Sequence, residues 1–563
     1  MVQTLMFVRL FIVLLSFAWL IPVRAQTPER PLILPLQGEP GPNTWLFGQT
    51  YGNTIGAFNR ADEWYSAGQG LHFGIDLSAP CGTPIVAVAD GEVMFVDDFG
   101  FGSRPHNLLI RHSDLGYVSL YGHLQNRAPV TPGQFVTQGE VVGYSGDPDE
   151  TCDSRPHLHY ELRSLNYQTT YNPILVMDAP WDALASIGRF DTGLFQQDLM
   201  DARRWMMLDD QPDVTFGGRR LNAYTVTLPL PGGQRPPSNP PVTQDLPPLP
   251  ENTPVTLKRI GYDGCCWDYV WHPTQTDALY VSDGVAGQMA TVFHWSAAQG
   301  QPVSDLGTAP RPVWSPDGSH EVRWGPNGVT IRRLSDGVEW MTPVPGNGNL
   351  PAISPDNTRL LWLQRSGESV PGAEAPTVNL FISAITGENV QQTPLEPGTN
   401  AVWLDNERLL LTRSQNALTT IEIGNVATGE RITLGSWYRM RGLSIAPGGE
   451  RVMFYLTNQA DPARSGVYVL ETKQGALPVM LPWFGGWRWR DSHTVYYMPF
   501  EPDAPSERLV YYDVVDGTTF DLTDPAQHPF IAMNGDWHIS ADGRWMAFHN
   551  AADRNLWLLG IGE

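Results

Sequence analysis

The chain has 563 residues and a formal net charge of −23, and 42% of its residues are hydrophobic. This length exceeds what a single hydrophobic core supports, so two to four domains are expected. The acidic balance argues against nucleic-acid binding, because neutralising phosphates requires clustered Lys and Arg. It also provides no long-range attraction toward anionic membranes or wall polymers.

The first 25 residues have the pattern of a secretory signal peptide. Arg9 precedes an apolar run from Leu10 to about Val23, and small residues precede a cleavage position after Ala25. An uncleaved anchor is the alternative, although the run is short for a bilayer span of about 20 residues. We therefore expect a secreted or envelope-associated protein without stable membrane insertion after cleavage.

Short β-type runs separated by Gly and Pro turns dominate residues 26–180. They include Pro84–Asp90, Asn107–Arg111 and Val118–Tyr121. Such runs predict a small β-domain rather than a helical one.

Four cysteines in an exported chain favour disulfide bonds over redox catalysis. Cys81 and Cys152 both fall in the N-terminal domain and are predicted to pair. Cys265 and Cys266 are adjacent, and they could form a vicinal disulfide, remain thiols or be a chance doublet.

A connecting segment, residues 181–228, and a Pro-rich linker, residues 229–254, follow. The connecting segment contains an apolar-periodic run around Phe195–Leu208, which predicts a helix of unassigned role. The linker has ten prolines in 26 residues, which predicts an extended, semi-rigid connection.

Residues 255–563 repeat with the period of β-propeller blades. Seven turn motifs are spaced by about 39 to 50 residues, and each unit reads as four short strands. The motifs begin at Trp271, Trp314, Ile353, Trp403, Ile445, Trp489 and Ile539. We predict seven blades, with six as the alternative.

The ends of this region predict how the ring closes. The last repeat ends after its third strand, near Leu556–Gly560, and Pro254–Ile260 has no blade of its own. We expect that segment to supply the missing strand and so remove an exposed sheet edge. The repeats resemble TolB-type and WD-like propellers, which implies a recognition or scaffolding module with an unknown partner.

Histidines and carboxylates that suit metal chemistry lie within about 90 residues of the N-terminal domain. Residues two or four apart on an extended strand share one face. Imidazole and carboxylate are ligands that suit zinc, and three protein ligands plus one open position are typical of a catalytic site. The residues are His72, Asp76, His123, His157, His159 and Glu161.

The ordered motifs H-x-x-x-D, Y-G-H-L and H-L-H-Y-E resemble those of lysostaphin and LytM-type zinc metallopeptidases. Flanking turns agree, among them Gly74–Pro80 and Gly139–Gly143, and the resemblance covers roughly Gly48–Leu175. It implies a small antiparallel β-sheet domain with an open groove across one zinc ion per chain. Carried over to this chain, the zinc ligands are His72, Asp76 and His159, and the catalytic histidines are His123 and His157.

The resemblance also implies a mechanism. Zinc lowers the pKa of bound water from 15.7 to about 7 and polarises the scissile carbonyl. One of His123 and His157 serves as general base, and the other stabilises the oxyanion or protonates the leaving amine. Glu161 is either a second base or a residue that orients a zinc ligand, and we favour the second role.

Two loops depart from the family pattern, Phe99–His106 and Asp147–Pro156, and both are expected to line the groove. We expect His112 to belong to the framework. The sequence thus predicts a secreted zinc endopeptidase that hydrolyses peptidoglycan peptides, with a propeller for recognition or scaffolding. The alternatives are a non-catalytic wall-peptide-binding protein and a zinc protease that acts on a protein substrate.

Overall fold

A computed structural model describes the chain in eleven stretches. The expected signal peptide, the doublet Cys265–Cys266 and most of the Pro-rich linker lie outside them. Within the described part, no helix combines the length and the apolar character needed to cross a membrane. The stretches are residues 30–187, 196–199, 205–223, 245–261, 268–283, 291–308, 313–325, 328–343, 351–366, 377–415 and 417–562.

The N-terminal domain is built on one large antiparallel sheet and a two-stranded sheet. The large sheet has the order β1-β2-β9-β6-β5-β4-β7, with β10 paired to β9 and β13 paired to β10, and the small sheet pairs β3 with β8. The strands are β1 (Leu46–Gln49), β2 (Ile75–Ser78), β3 (Pro84–Val86), β4 (Gly91–Val96), β5 (Leu108–His112), β6 (Tyr117–Gly122), β7 (Phe135–Val136), β8 (Val141–Tyr144), β9 (His157–Ser164), β10 (Thr169–Tyr171) and β13 (Val214–Thr215).

Helices are short in the described part of the chain. Helix α1 (Ile55–Asn59) begins where Thr54 accepts a hydrogen bond from the backbone N–H of Ala57, a side-chain N-cap. The second α-helix is α2 (Trp181–Ala185). Single 3₁₀ turns occupy Ser66–Gly68, Phe99–Phe101, Pro173–Leu175 and Pro462–Arg464.

Cys81 and Cys152 form a disulfide bond across 71 residues, so the predicted pairing is confirmed. The bond joins the segment that follows β2 to the loop that precedes β9. Because β2 and β9 are neighbours in the sheet, the bond fixes the ends of two paired strands.

The helix predicted around Phe195–Leu208 is wrong in its described part. Strands β11 (Gln196–Gln197) and β12 (Trp205–Met206) pair there as antiparallel neighbours. Apolar periodicity in a short run does not separate helix from strand, and here cross-strand pairing decides the outcome. Further along the same segment, Val214 of β13 joins the N-terminal sheet through β10.

The C-terminal region forms seven four-stranded antiparallel sheets, which confirms the prediction of seven blades. The first blade consists of β15 (Asp268–Trp271), β16 (Ala278–Asp283), β17 (Thr291–Ser296) and β18 (Gln301–Thr308), and the second of β19 (Val313–Trp314), β20 (His320–Gly325), β21 (Gly328–Arg333) and β22 (Glu339–Thr342). The third consists of β23 (Ala352–Ile353), β24 (Arg359–Ser366), β25 (Thr377–Ala384) and β26 (Gln391–Leu395), and the fourth of β27 (Thr399–Trp403), β28 (Arg408–Gln415), β29 (Leu418–Asn425) and β30 (Arg431–Tyr438). The fifth consists of β31 (Met440–Ile445), β32 (Arg451–Leu456), β33 (Gly466–Glu471) and β34 (Val479–Met480), and the sixth of β35 (Gly485–Trp489), β36 (Thr494–Pro499), β37 (Val510–Asp513) and β38 (Thr519–Asp521).

The seventh blade joins the two ends of the propeller. It has the order β14-β41-β40-β39, so β14 (Val255–Arg259) from the start of the region is its fourth strand. The other three are β39 (Ala532–Ile539), β40 (Trp545–Asn550) and β41 (Asn555–Ile561). The predicted closure is confirmed, because β14 pairs with β41 from Val255↔Ile561 to Arg259↔Trp557.

The N-terminal domain packs directly on the propeller. Trp181 and Leu184 of α2 are buried in the same apolar cluster as Trp487 and Trp489 of β35. At the end of α2, the carbonyl oxygen of Ser186 lies close to Gly486 of β35, because a Cβ atom on that residue would be only 3.0 Å from it. Glycine at that position therefore allows the close approach.

We predict that the β14 pairing stabilises the propeller through Leu257. This side chain packs against the apolar cluster of the sixth and seventh blades, whereas Thr256 of the same strand is exposed. Leu257→Asp should cost roughly 2 kcal/mol, because it places a charge on apolar surface, and lower the melting temperature by on the order of 5 °C. Thr256→Asp is the matched control, and equal small shifts in both variants would contradict the stabilising role of this strand.

Candidate metal centre

Three neighbouring strands bring the predicted site residues together. In the antiparallel pair of β2 and β9, Asp76 lies opposite His159, and in the pair of β9 and β6, Gly122 lies opposite His159. Residues directly opposite each other have Cβ atoms about 4.5–5.5 Å apart. Because side chains alternate along β9, His157 shares the face of His159. The register alone therefore collects a carboxylate and two imidazoles on one face.

His72 reaches the same point from outside β2. It pairs with Gly52 in an isolated bridge, through backbone hydrogen bonds of 2.7 and 2.8 Å in the two directions. The sequence argument placed His72 and Asp76 on one extended strand, but β2 begins only at Ile75. The two side chains still meet, since His72 Nε2 lies 3.2 Å from Asp76 Oδ1.

The arrangement of donor atoms fits a tetrahedral metal ion. His72, Asp76 and His159 each offer one ligand atom, and these atoms lie within 4.8 Å of one another. His72 Nε2 is 3.2 Å from His159 Nδ1, which is 2.8 Å from Asp76 Oδ1. Zinc bonds of about 2.0–2.1 Å at tetrahedral angles separate neighbouring ligands by roughly 3.3 Å. These residues could hold zinc with only small displacements.

The far sides of both histidine rings are held by acceptors. His72 Nδ1 donates to the carbonyl oxygen of Thr50 at 2.7 Å, and His159 Nε2 lies 3.2 Å from a carboxylate oxygen of Glu161. A ring that donates on one side presents a bare nitrogen on the other when it is neutral. Both rings thus direct a lone pair toward the common point, as metal-ligating histidines do.

Glu161 is held in turn by a buried arginine. Its side chain is fully buried, and its second oxygen accepts a hydrogen bond from Arg163 Nε at 2.7 Å. The guanidinium of Arg163 lies over the ring of Phe216 at 4.4 Å. Since both carboxylate oxygens are engaged, this arrangement fits the expected orienting role better than that of a second base.

His123 and His157 flank the three donors. Their ring centroids are 4.8 Å apart, and His123 lies 5.7 Å from His159. His123 has φ of 55°, in the left-handed region that few non-glycine residues adopt. This conformation just after β6 turns the ring toward β9, and such backbone strain is often found at functional positions.

Backbone carbonyls fix the tautomer of these two rings. His123 Nδ1 donates to the carbonyl oxygen of Arg104, and His157 Nδ1 donates to that of Arg155 at 2.7 Å. Since a carbonyl only accepts, both Nδ1 atoms carry the proton. Each neutral ring therefore has an acceptor Nε2 for a group in the cavity.

The pKa of His159 is shifted in the opposite direction from those of the flanking His123 and His157. Burial lowers the pKa of His123 well below its ordinary value, and the charges of His157 and His159 add to this effect. Burial also lowers the pKa of His157, opposed by Asp76. For His159 burial is outweighed by hydrogen bonds to Asp76 and Glu161, which raise its pKa to about 9. Without a bound metal ion, positive charge is thus favoured at His159 and disfavoured at the other two, so a metal ion that binds there displaces a proton from His159.

An open cavity of about 900 Å³ leads to these side chains. Both loops that differ from the family pattern line it. The loop Phe99–His106 contributes Gly102, Ser103 and Arg104, and the loop Asp147–Pro156 contributes Pro148, Arg155 and Pro156. The expectation that both loops border the groove is therefore confirmed.

Two further histidines of the N-terminal domain lie outside the metal centre. His112 is buried, with its ring nitrogens 2.8 Å from the carbonyl oxygen of Asp90 and 2.8 Å from Ser119 Oγ, as expected for a framework residue. His106 is 3.0 Å from Asp97 on the partly exposed surface.

A second group of possible metal ligands lies where the end of the linker meets the propeller, and the sequence gave no reason to expect one. It consists of Asp245, Asp491 and His493. The carboxylate of Asp491 already accepts hydrogen bonds from the backbone N–H groups of His493 and Thr494 and from Arg490. These bonds give it a structural role in the turn before β36.

Sequence reasoning missed several residues around the centre. Arg163 stands two positions after Glu161, so alternation along β9 could have identified it. Gly74 makes room for the ring of His159, because a Cβ atom at that position would lie 2.8 Å from the ring. Arg441 also lines the cavity but comes from the propeller strand β31, and no local pattern could have placed it there.

Comparisons with known proteins match the part of the chain that contains these residues. The sequence profile of peptidase family M23 matches residues 70–173. The DD-carboxypeptidase/endopeptidase Mpg of Neisseria meningitidis serogroup B is 40% identical over 107 residues, which are 19% of this chain and 23% of that protein. The peptidoglycan DD-endopeptidase ShyC of Vibrio cholerae is 41% identical over 92 residues, which are 16% of this chain and 20% of that protein.

The chain thus spans about a quarter or less of the length of these curated relatives. A solved structure of the lysostaphin catalytic domain from Staphylococcus simulans aligns with 23% of this chain and 90% of its own, at 22% identity and a TM-score of 0.19. That score is too low to carry an argument, so the assignment depends on the sequence matches. Residues 70–173 form a peptidase M23 domain, which a seven-bladed β-propeller follows in the same chain.

Proposed function

We propose that the protein is an exported zinc-dependent endopeptidase that hydrolyses peptide bonds in bacterial peptidoglycan. The observation that carries the proposal is the convergence of His72, Asp76 and His159 beside two further histidines, at the base of an open cavity. The activities named for the relatives Mpg and ShyC support a wall-peptide substrate. The propeller then serves as a recognition or scaffolding module.

In this proposal His72, Asp76 and His159, which all line the cavity, would hold the zinc ion. When bound, zinc supplies Lewis acidity, which lowers the pKa of water to about 7 and polarises a carbonyl group. The other contributions come from the protein. Glu161 keeps the ring of His159 oriented and adds negative charge close to the cation.

His123 and His157 share the work of proton transfer and charge stabilisation. Each ring presents Nε2 to the cavity, because its Nδ1 proton is committed to a backbone carbonyl. A neutral Nε2 can take a proton from water, and the protonated ring can then donate to the oxyanion or to the leaving amine. His157 Nε2 lies 3.8 Å from Asp76 Oδ1, so a charge on His157 is stabilised by that carboxylate. We therefore assign proton uptake to His123 and stabilisation to His157.

Removing one proposed ligand should abolish both metal binding and activity. We expect His159→Ala to lose the zinc ion and to lower cleavage of purified peptidoglycan by at least about 100-fold, since the Lewis acid is lost. The measurements are zinc content after dialysis and the release of soluble peptides from purified wall. His528→Ala, which changes a histidine of the propeller, is the control and should keep both.

The outcomes separate the competing functions. Cleavage of a protein substrate but not of wall by the zinc-loaded protein would replace the substrate class. Zinc binding without cleavage of either would favour a non-catalytic wall-binding protein. Retention of full activity by His159→Ala would contradict the metal site itself.

We expect Glu161 to strengthen zinc binding. Glu161→Gln keeps a similar shape but removes the charge beside His159 and leaves Arg163 without its carboxylate partner. The zinc dissociation constant should rise by roughly 10- to 100-fold. Competition titration against a chelator of known affinity measures it. Glu92→Gln, an exposed glutamate of β4, is the matched control. Unchanged affinity with lowered turnover would instead make Glu161 a base.

A further inference from the structure

We propose that Arg439 of the propeller is a positioning residue for His157, because it holds the loop Asp147–Pro156 in the shape that orients the ring of His157 for catalysis. The inference rests on the proposed function and extends it. It makes the docked propeller a required part of the peptidase site, in addition to any recognition or scaffolding role. Arg439 is not among the described residues that line the cavity, so its effect must pass through the loop.

Arg439 joins the propeller to this loop through backbone carbonyl groups. It lies between β30 and β31, and its guanidinium donates to the carbonyl oxygen of Cys152 at 2.5 Å and to that of Asn458 at 2.6 Å. The backbone N–H of Asn458 donates in turn to the carbonyl oxygen of Pro42, in the N-terminal domain, at 3.0 Å. The arginine therefore occupies a junction where the propeller contacts the peptidase domain at two points.

The charge of Arg439 is complementary to that of the loop. Partial burial lowers the pKa of Arg439, and the negative charges of Asp153 and Asp147 oppose this effect. Arginine nevertheless keeps its proton throughout the physiological range. The propeller thus presents a permanent cation to a loop whose acidic residues are Asp147, Asp149, Glu150 and Asp153.

The backbone conformation of the loop requires support at Cys152. Glu150 and Cys152 have φ of 66° and 59°, in the left-handed region that few non-glycine residues adopt, and such strain persists only where other contacts hold it. The disulfide bond with Cys81 holds the side chain of Cys152, and the hydrogen bond from Arg439 holds its carbonyl group. Because a carbonyl group lies in the plane of the peptide bond that follows, it sets the direction of the chain toward Asp153.

Hydrogen bonds carry the shape of the loop to His157. The carboxylate of Asp147 accepts from the backbone N–H groups of Ser154 and Arg155, both at 3.1 Å. The carbonyl oxygen of Arg155 accepts the Nδ1 proton of His157 at 2.7 Å. The backbone of His157 is fixed separately, since its N–H donates to the carbonyl oxygen of Gly146 at 3.0 Å. A displaced loop would therefore disorient the ring of His157 but leave β9 in place.

The test measures kcat and KM of the full-length, zinc-loaded protein on soluble cross-linked peptides prepared from purified peptidoglycan. The single variants are Arg439→Gln, Arg439→Lys and His157→Ala, and a double variant combines Arg439→Gln with His157→Ala. Arg431→Gln, which changes an exposed arginine of β30, is the matched control. Zinc affinity and melting temperature are measured for every form.

We expect Arg439→Gln to lower kcat by roughly 10- to 100-fold, because a small displacement of a reacting group has an effect of this size. KM and zinc affinity should change little, since β9 and the zinc ligands stay in place. Arg439→Lys keeps the charge and a donor, so it should recover part of kcat. In the His157→Ala background, Arg439→Gln should cause no further loss, because residues that act as a unit are not additive. Arg431→Gln should behave like the wild type.

Other outcomes overturn the inference. An unchanged kcat in Arg439→Gln, or a further loss when it is combined with His157→Ala, would show that Arg439 does not act through His157. Loss of zinc affinity or of the folded state in Arg439→Gln would assign the residue to stability instead. The proposed function stands in each of these cases if the wild type cleaves the peptides. A wild type that cleaves neither the peptides nor purified wall would contradict the proposed function and this inference with it.

Discussion

The antiparallel register between β2 and β9 is the constraint on which the site depends. It places Asp76 opposite His159, and their side-chain atoms approach to 2.8 Å. A shift by one residue would turn every side chain of β9 to the other face of the sheet and separate the donors. The disulfide bond between Cys81 and Cys152 joins the two segments next to these strands, so it opposes such a shift.

The propeller completes the environment of this site. The N-terminal domain and blades five and six share one buried apolar cluster, and Arg439 is hydrogen-bonded to the loop before β9. A recognition module on a flexible tether would leave the cavity unchanged. Here the N-terminal domain packs directly on the propeller, and the propeller residue Arg441 lines the cavity wall. The arrangement couples the position of the blades to the shape of the groove.

Features encoded by local pattern could be predicted from the sequence, and those created by contacts between distant segments could not. The seven repeats followed from turn spacing, and the closure of the last blade by β14 followed from the incomplete last repeat. The five candidate site residues followed from the resemblance of the ordered motifs to a peptidase family, and the structure brings their side chains together. The helix expected near Phe195–Leu208 failed in its described part because pairing between β11 and β12 outweighs a weak period. Arg441 lies 282 residues beyond His159 in the chain, so only the packing of the two domains brings it to the cavity.

The most direct test of the account is zinc-edge X-ray absorption of the zinc-loaded, full-length protein. We predict four light-atom ligands, two of them imidazoles, at about 2.0–2.1 Å, as expected for two histidines, one aspartate and one water. His159→Ala should retain too little zinc to give this signal. Sulfur scattering at about 2.3 Å, or a shell without imidazole, would place the metal elsewhere and contradict the central claim.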